Sequence, residues 1–150
     1  MSIDLDKFLQ MGREVLAQQP FSVLVGAQLD ALRPGHCCLS LALTEQLQQQ
    51  HGFAHGGVIS YLADNALTFA GGTAMQVPVV TSEFKLNYLR PGIGQRLLAR
   101  AEAVHVSRSQ AVCRCEVLAV QDDGSEKLVA LAQGTIARLP DGANAAAPAR

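Results

Sequence analysis

The sequence predicts an α+β fold in which an antiparallel sheet wraps around one long buried helix. Three observations carry this. Gly56 and Gly57 open a run whose apolar residues, from Val58 to Ala70, cover almost the whole circumference of a helix, and a helix apolar all round is enclosed on all sides. Two strand-like runs precede it and four alternating runs follow it. An antiparallel sheet with a single such helix must curl to cover it.

Residues 4–18 place Leu5, Phe8, Leu9, Gly12, Val15 and Leu16 near the 3.6 period, with charges between them, so an amphipathic helix is expected. Ser2 or Asp4 caps it and Pro20 ends it. Strands are expected over 23–32 and 36–44, joined by the turn Arg33-Pro34-Gly35 as a hairpin. The glutamine-rich stretch 45–51 reads as a loop or a single helical turn. The central helix runs to Ala70 or Gly71, with Gly71-Gly72 as its stop. Strands follow over 79–89, 96–106, 111–120 and 127–138, the last three as a meander. Arg100 and Glu102 share one face of the second of these. Residues 1–139 form a single domain, and the Ala-, Pro- and Gly-rich residues 140–150 read as a frayed tail.

Length and composition narrow the class. The 150 residues suffice for one domain with a real core, and 49% are hydrophobic. The net charge of −1 lacks the basic excess of a nucleic-acid binder. The most apolar stretch, 58–80, is interrupted by Asp64, Asn65, Gly71, Gly72, Gln76 and Pro78, so no membrane span is expected. The first residues mix Asp4, Asp6, Lys7, Arg13 and Glu14 among apolar positions, unlike a secretory leader. A cytoplasmic protein is expected.

Cys37, Cys38, Cys113 and Cys115 fit no common zinc or redox spacing. They read as small buried hydrophobes with free thiols. No metal site is expected.

Chemistry gathers on the central helix. A helix start offers unpaired N–H groups and a partial positive charge, suited to a developing oxyanion. Eight residues after Gly56 comes Asp64, a carboxylate inside an apolar helix, which needs a partner or a task. Thr68 stands one turn further on the same face; its alternative role is to bond the carbonyl four residues back. Thr81 and Ser82 face opposite ways in their strand, so only one can reach the site, and Thr81 is preferred. His55 is either a base or a structural histidine, and His36, His51 and His105 belong to no constellation.

Gln49-x-x-Gly52-x-x-His55-Gly56-Gly57, then Leu62-Ala63-Asp64, then Asn87-Tyr88-Leu89-Arg90-Pro91, together resemble the hotdog-fold acyl-CoA thioesterases, nearest the phenylacetyl-CoA thioesterase-like branch. The resemblance covers residues 20–138. It implies a hotdog fold, with a curved antiparallel sheet wrapped around a long central helix. It implies that the Gly56 N–H polarises the thioester carbonyl and that Asp64, from the other subunit of a dimer, is nucleophile or general base. It gives Gln49 the orientation of thioester or water, and Thr68 or Thr81 the assistance of the carboxylate. His55 and Gly57 fall on the substrate-binding side. Arg90 and Arg108 are candidates for the CoA phosphates, with solvated arginines as the alternative. Gln49 stands where Asn is commoner, and Gln50 where Pro is frequent.

The expected protein is thus a thioester hydrolase acting on acyl-CoA, without cofactor, as a homodimer or a dimer of dimers. Two alternatives are a non-catalytic acyl-CoA-binding module and a hotdog hydratase or dehydratase. An intact Asp64 argues against the first, and the absence of the usual hydratase motif against the second.

Overall fold

A computed structural model describes residues 2–143. The order is α1 (Leu5–Ala17), α2 (Pro20–Val25), β1 (Gln28–Arg33), β2 (His36–Ala42), a 3-10 turn (Glu45–Leu47), α3 (Gly56–Met75), β3 (Val79–Tyr88), β4 (Arg96–Val106), β5 (Gln110–Val120) and β6 (Glu126–Arg138). The strands form one antiparallel six-stranded sheet in the order β1-β2-β4-β5-β6-β3. The hotdog arrangement and the β4-β5-β6 meander agree with the sequence pattern. β3 passes beyond the meander to pair with β6, which makes it an edge of the sheet.

α3 lies in the concavity. Leu62, Ala63, Ala66, Leu67 and Ala70 are fully buried, facing Leu39 and Leu41 of β2, Leu97 of β4, Val117 of β5 and Ile136 of β6. Fully burying one such leucine or valine contributes about 1.5–3 kcal/mol, so this seam fixes α3 against the sheet. Its unburied flank carries Ser60, Tyr61, Asp64, Asn65 and Thr68, all half-buried.

Two expectations about the elements are corrected. The strand expected from Val23 instead begins at Gln28, because Val23–Val25 close the short helix α2. Pro20 occupies its first turn, where a missing N–H costs nothing, and Gly26 ends it at φ 74°. The Gly71-Gly72 pair does not stop α3, which continues to Met75 and ends on Gln76 in the left-handed region. These glycines allow close packing instead. A β-carbon on Gly71 would lie 2.7 Å from Ile136 Cβ, and one on Gly72 would lie 3.0 Å from Val79.

α1 is capped by Asp4, whose side chain accepts the Lys7 N–H at 3.2 Å. It lies on β1 with Gly12 against Leu29 and Leu32. α2 is tied to α3 by a polar cluster. Tyr61 Oη donates to Ser22 Oγ at 2.5 Å, Ser22 Oγ donates to Gln19 Oε1 at 2.6 Å, and Asn65 Nδ2 donates to Gln19 Oε1 at 2.9 Å. Ser22 is buried, so its bonds offset a desolvation cost of about 1–3 kcal/mol. Phe21 closes the contact edge-on to Tyr61, with ring centroids 5.0 Å apart.

The outer face of the sheet carries ion pairs between strands, one of them reaching from β4 past β5 to β6. Arg100 holds Glu126 through two bonds of 2.7 Å, and Arg114 meets Glu102. Cys37, Cys113 and Cys115 are buried, Cys38 is half-buried, and all four thiols are free. Among the described residues no helix is long and apolar enough to cross a membrane. Leu139 is pinned by its N–H to the Pro78 carbonyl at 2.9 Å. Most of the expected tail, residues 144–150, lies outside the described residues.

Candidate active site

The first turn of α3 leaves one N–H available. His55 caps the helix in extended conformation, and its Nδ1 accepts the Gly57 N–H at 2.9 Å. The N–H groups of Val58 and Ile59 go to the His55 carbonyl at 3.0 and 3.3 Å. Of the four N–H groups that a helix start leaves open, only that of Gly56 meets no acceptor among the described residues. It sits at the positive end of a helix of 20 residues.

Gly57 is needed for this geometry, and Gly56 lets Tyr88 come close. A β-carbon on Gly57 would lie 2.9 Å from His55 Nδ1, blocking the cap. One on Gly56 would lie 3.2 Å from the Tyr88 hydroxyl, which donates to the Gly56 carbonyl at 2.8 Å. His55 accepts through Nδ1, which puts its proton on Nε2. This bond gives His55 a structural use, one of the two that its sequence position left open. Tyr88, given no role from sequence although it stands in the Asn87–Pro91 motif, buttresses the helix start from β3.

Gln49 belongs to the same end. The Gln48–Ala54 bridge folds the loop back, with the Gln49 N–H to the Phe53 carbonyl at 2.8 Å and the His55 N–H to the Leu47 carbonyl at 2.9 Å. Gln49 therefore stands alongside Phe53, three residues before Gly56. Its Oε1 accepts the His51 N–H, so the side chain also braces its own turn.

Asp64, Thr68 and Thr81 form a second group. Thr81 Oγ1 donates to Asp64 Oδ1 at 2.6 Å, and the two threonine hydroxyls are 2.9 Å apart. Thr68 Oγ1 is also 2.9 Å from the Asp64 carbonyl oxygen. A hydroxyl has one proton, so Thr68 donates either along the chain Thr68–Thr81–Asp64 or back to the helix. Both threonines reach the carboxylate group of contacts, where the sequence offered one or the other. Asp64 Oδ2 has no partner among the described residues.

Within one chain the two groups are separate. Gly56 and Asp64 are eight residues apart on one helix, about 12 Å at 1.5 Å per residue. A single carbonyl cannot touch both. Arg90 follows β3 at the Gly56 end, and Arg108 lies in the turn between β4 and β5 at the far end, next to Ser109, whose carbonyl accepts the Arg138 N–H. The nine residue steps of β3 between these ends span about 30 Å, so the two exposed arginines do not meet one phosphate in a single chain. Among the described residues no three His, Cys, Asp or Glu side chains converge as metal ligands do.

With this geometry in hand, comparison with known proteins identifies the class: the chain belongs to the thioesterase superfamily, whose profile matches residues 51–125, and within it to the PaaI-like hotdog branch. That span contains the α3 start, Asp64 and both threonines. The chain is 27% identical over 115 residues to 1,4-dihydroxy-2-naphthoyl-CoA hydrolase of Listeria monocytogenes, covering 75% of this chain and 90% of that one. It is 28% identical over 116 residues to acyl-coenzyme A thioesterase PaaI of Escherichia coli, covering 77% and 79%. A thioesterase family protein of Silicibacter pomeroyi superposes with a TM-score of 0.81 at 36% identity, over 85% of this chain and 95% of that one.

Proposed function

We propose that this protein is an acyl-CoA thioesterase whose active sites are each built from two subunits, one supplying the Gly56 N–H and the other Asp64. The observation that carries it is the Thr81 bond to Asp64 Oδ1, which fixes the carboxylate and leaves Oδ2 free to act. The lone free N–H at the α3 start is the complementary half. The 12 Å between them in one chain is what makes two subunits necessary.

In the reaction, the thioester carbonyl accepts from Gly56 N–H, and the positive end of α3 stabilises the oxyanion that forms. Asp64 Oδ2 either takes a proton from water, so that the hydroxide attacks, or attacks the carbonyl carbon itself. The C–S bond breaks in either route and the CoA thiolate leaves to take up a proton. By the second route an anhydride forms on Asp64 and water then hydrolyses it. A single turnover in isotope-labelled water separates them, since only the anhydride route can place label in the Asp64 side chain. Gln49 orients the water or thioester through its free amide N–H, and His55 and Gly57 shape the entry. Arg90 or Arg108 contacts CoA phosphate. The attacking group and the oxyanion donor both come from the chain, with CoA as part of the substrate, so thiol release persists after exhaustive chelation. The experiment that tests the reading is thiol release from a panel of acyl-CoA substrates, comparing the natural protein with Asp64→Ala. Equal turnover by both ends it.

A further inference from the structure

We propose that the groove between α1 and the C-terminal half of α3 binds the acyl group, and that it selects an apolar chain or ring longer than acetyl; this rests on the thioesterase reading above. Two cavities meet beside Asp64. The first, about 410 Å³, is lined by Asp64, Tyr61 and the α2 residues Pro20, Phe21 and Ser22. The second, about 440 Å³, continues from it between Phe8, Met11 and Val15 of α1 and Phe69, Val77 and Val79. Gln19, Asn65 and Thr68 line both, so the groove adjoins the space beside the carboxylate across these three side chains. The volumes fall in the range of small-molecule sites.

The chemistry of the walls favours hydrocarbon. Apart from the Gln19 amide, whose Nε2 has no acceptor among the described residues, the polar groups in the groove hold their donors on partners inside the protein. Asn65 Nδ2 faces Gln19, Ser22 and Tyr61. Thr68 bonds Asp64 or Thr81, and Thr73 Oγ1 donates to the Phe69 carbonyl at 2.7 Å while accepting the Gly35 N–H. What else remains to face an occupant is apolar. Met11 and Val15 are 56% and 52% exposed although they lie on the groove rather than on the polar face of α1, so an acyl group there removes from water apolar surface that the fold leaves open. From Asp64 to Gly72 the helix runs eight residues, about 12 Å, which gives the groove a depth that acetyl does not use. The polar cluster of Gln19, Ser22, Tyr61 and Asn65 fixes α2 at the neck, making it the positioning element of the pocket.

The test compares octanoyl-CoA with acetyl-CoA in the full chain. The natural protein should prefer octanoyl-CoA in kcat/KM. Val15→Glu, which puts a charge where the chain would lie, should lower the octanoyl-to-acetyl ratio by at least ~10-fold. Met11→Trp, which fills the groove without charge, should act in the same direction. Calorimetric binding of the same two thioesters reads the pocket without turnover. Tighter octanoyl-CoA binding that Val15→Glu removes supports the pocket even if no thiol is released, in which case hydrolysis alone fails. A ratio unchanged in both variants, or equal binding of the two thioesters, overturns the pocket while leaving hydrolysis to its own test.

Discussion

Tyr88 leans on Gly56: its hydroxyl donates to the Gly56 carbonyl at 2.8 Å, and its ring fills the space that a β-carbon would need. The contact joins the edge strand to the helix start. Gly56→Pro isolates the N–H. Proline suits the first helical position, and His55 already has the extended ψ of 135° that a following proline requires. The Tyr88 ring is exposed and can yield. Turnover should fall by about 10²–10³-fold, as for loss of an oxyanion donor, with Tm nearly kept. Gly56→Ala, which retains the N–H, should lose far less. Steady-state thiol release alongside thermal melts checks both, and a fully active Gly56→Pro protein would remove this donor from the mechanism.

Asp64→Ala and Asp64→Asn should each slow turnover by at least ~10²-fold. Thr81→Val takes one donor from the carboxylate, and hydrogen bonds to charged groups contribute about 1.5–3 kcal/mol. A fall in kcat of roughly tenfold or more, with KM little changed, is expected from single-substrate kinetics. Wild-type rates in Thr81→Val would reduce that bond to a structural one.

Mixing chains tests the shared site. Asp64→Ala and Gly56→Pro proteins, each nearly inactive, should regain activity when unfolded and refolded together, because one hybrid site receives both good halves. β3, an edge strand with unpaired backbone groups, offers a place for a second chain to add. Sedimentation should give at least a dimer. A fully active monomer contradicts the arrangement.

Arg90 and Arg108 should affect binding of the CoA portion more than chemistry. Neutralising the one that meets phosphate should raise KM for acyl-CoA with kcat nearly constant, the signature of lost uniform binding, and should scarcely change a short thioester without the nucleotide. Their placement at opposite ends of β3 adds that the two effects should be unequal for sites at one subunit. Equal damage toward both substrates would point to structure.

The buried cysteines make an alkaline prediction. Burial pushes the Cys113 thiol up to about 11 and the Cys115 thiol up to about 12, from an ordinary 9.0. In the unfolded chain these thiols ionise near 9.0, whereas in the folded chain they stay protonated. Their contribution is therefore complete below pH 9 and is lost as pH rises toward 12. Urea midpoints measured from pH 8 to 11 should fall, and Cys113→Ala with Cys115→Ala should flatten the slope. An unchanged slope in that double variant would assign the loss to other groups.

Where the sequence was legible, the determinants were local. The Gly56-Gly57 start, the apolar girth of α3 and the period-two strands are written in consecutive residues, and they locate the fold and one half of the candidate site. What was misread depends on distant partners. Val23–Val25 have strand-like side chains, but Pro20 and Gly26 bracket them into a helix. Gly71 looks like a terminator until Ile136, 65 residues away, is seen against it. Nothing near Asn65 announces Gln19 and Ser22, and Tyr88 carried chemistry-bearing atoms without any spacing that pointed to Gly56. The choice between Thr68 and Thr81 was undecidable from spacing because the fold brings both hydroxyls to the same place.

On the shared-site proposal, the stiffness of α3 ties output to protein concentration. One helix holds the two halves of the proposed machinery too far apart to collapse onto each other, so a lone chain has no route to turnover by flexing. Under dilution, the rate per chain should follow the assembled fraction by mass action, dropping while each chain is still folded. The protein would then act as a concentration threshold: silent when scarce, and switched on by its own abundance without any separate regulator.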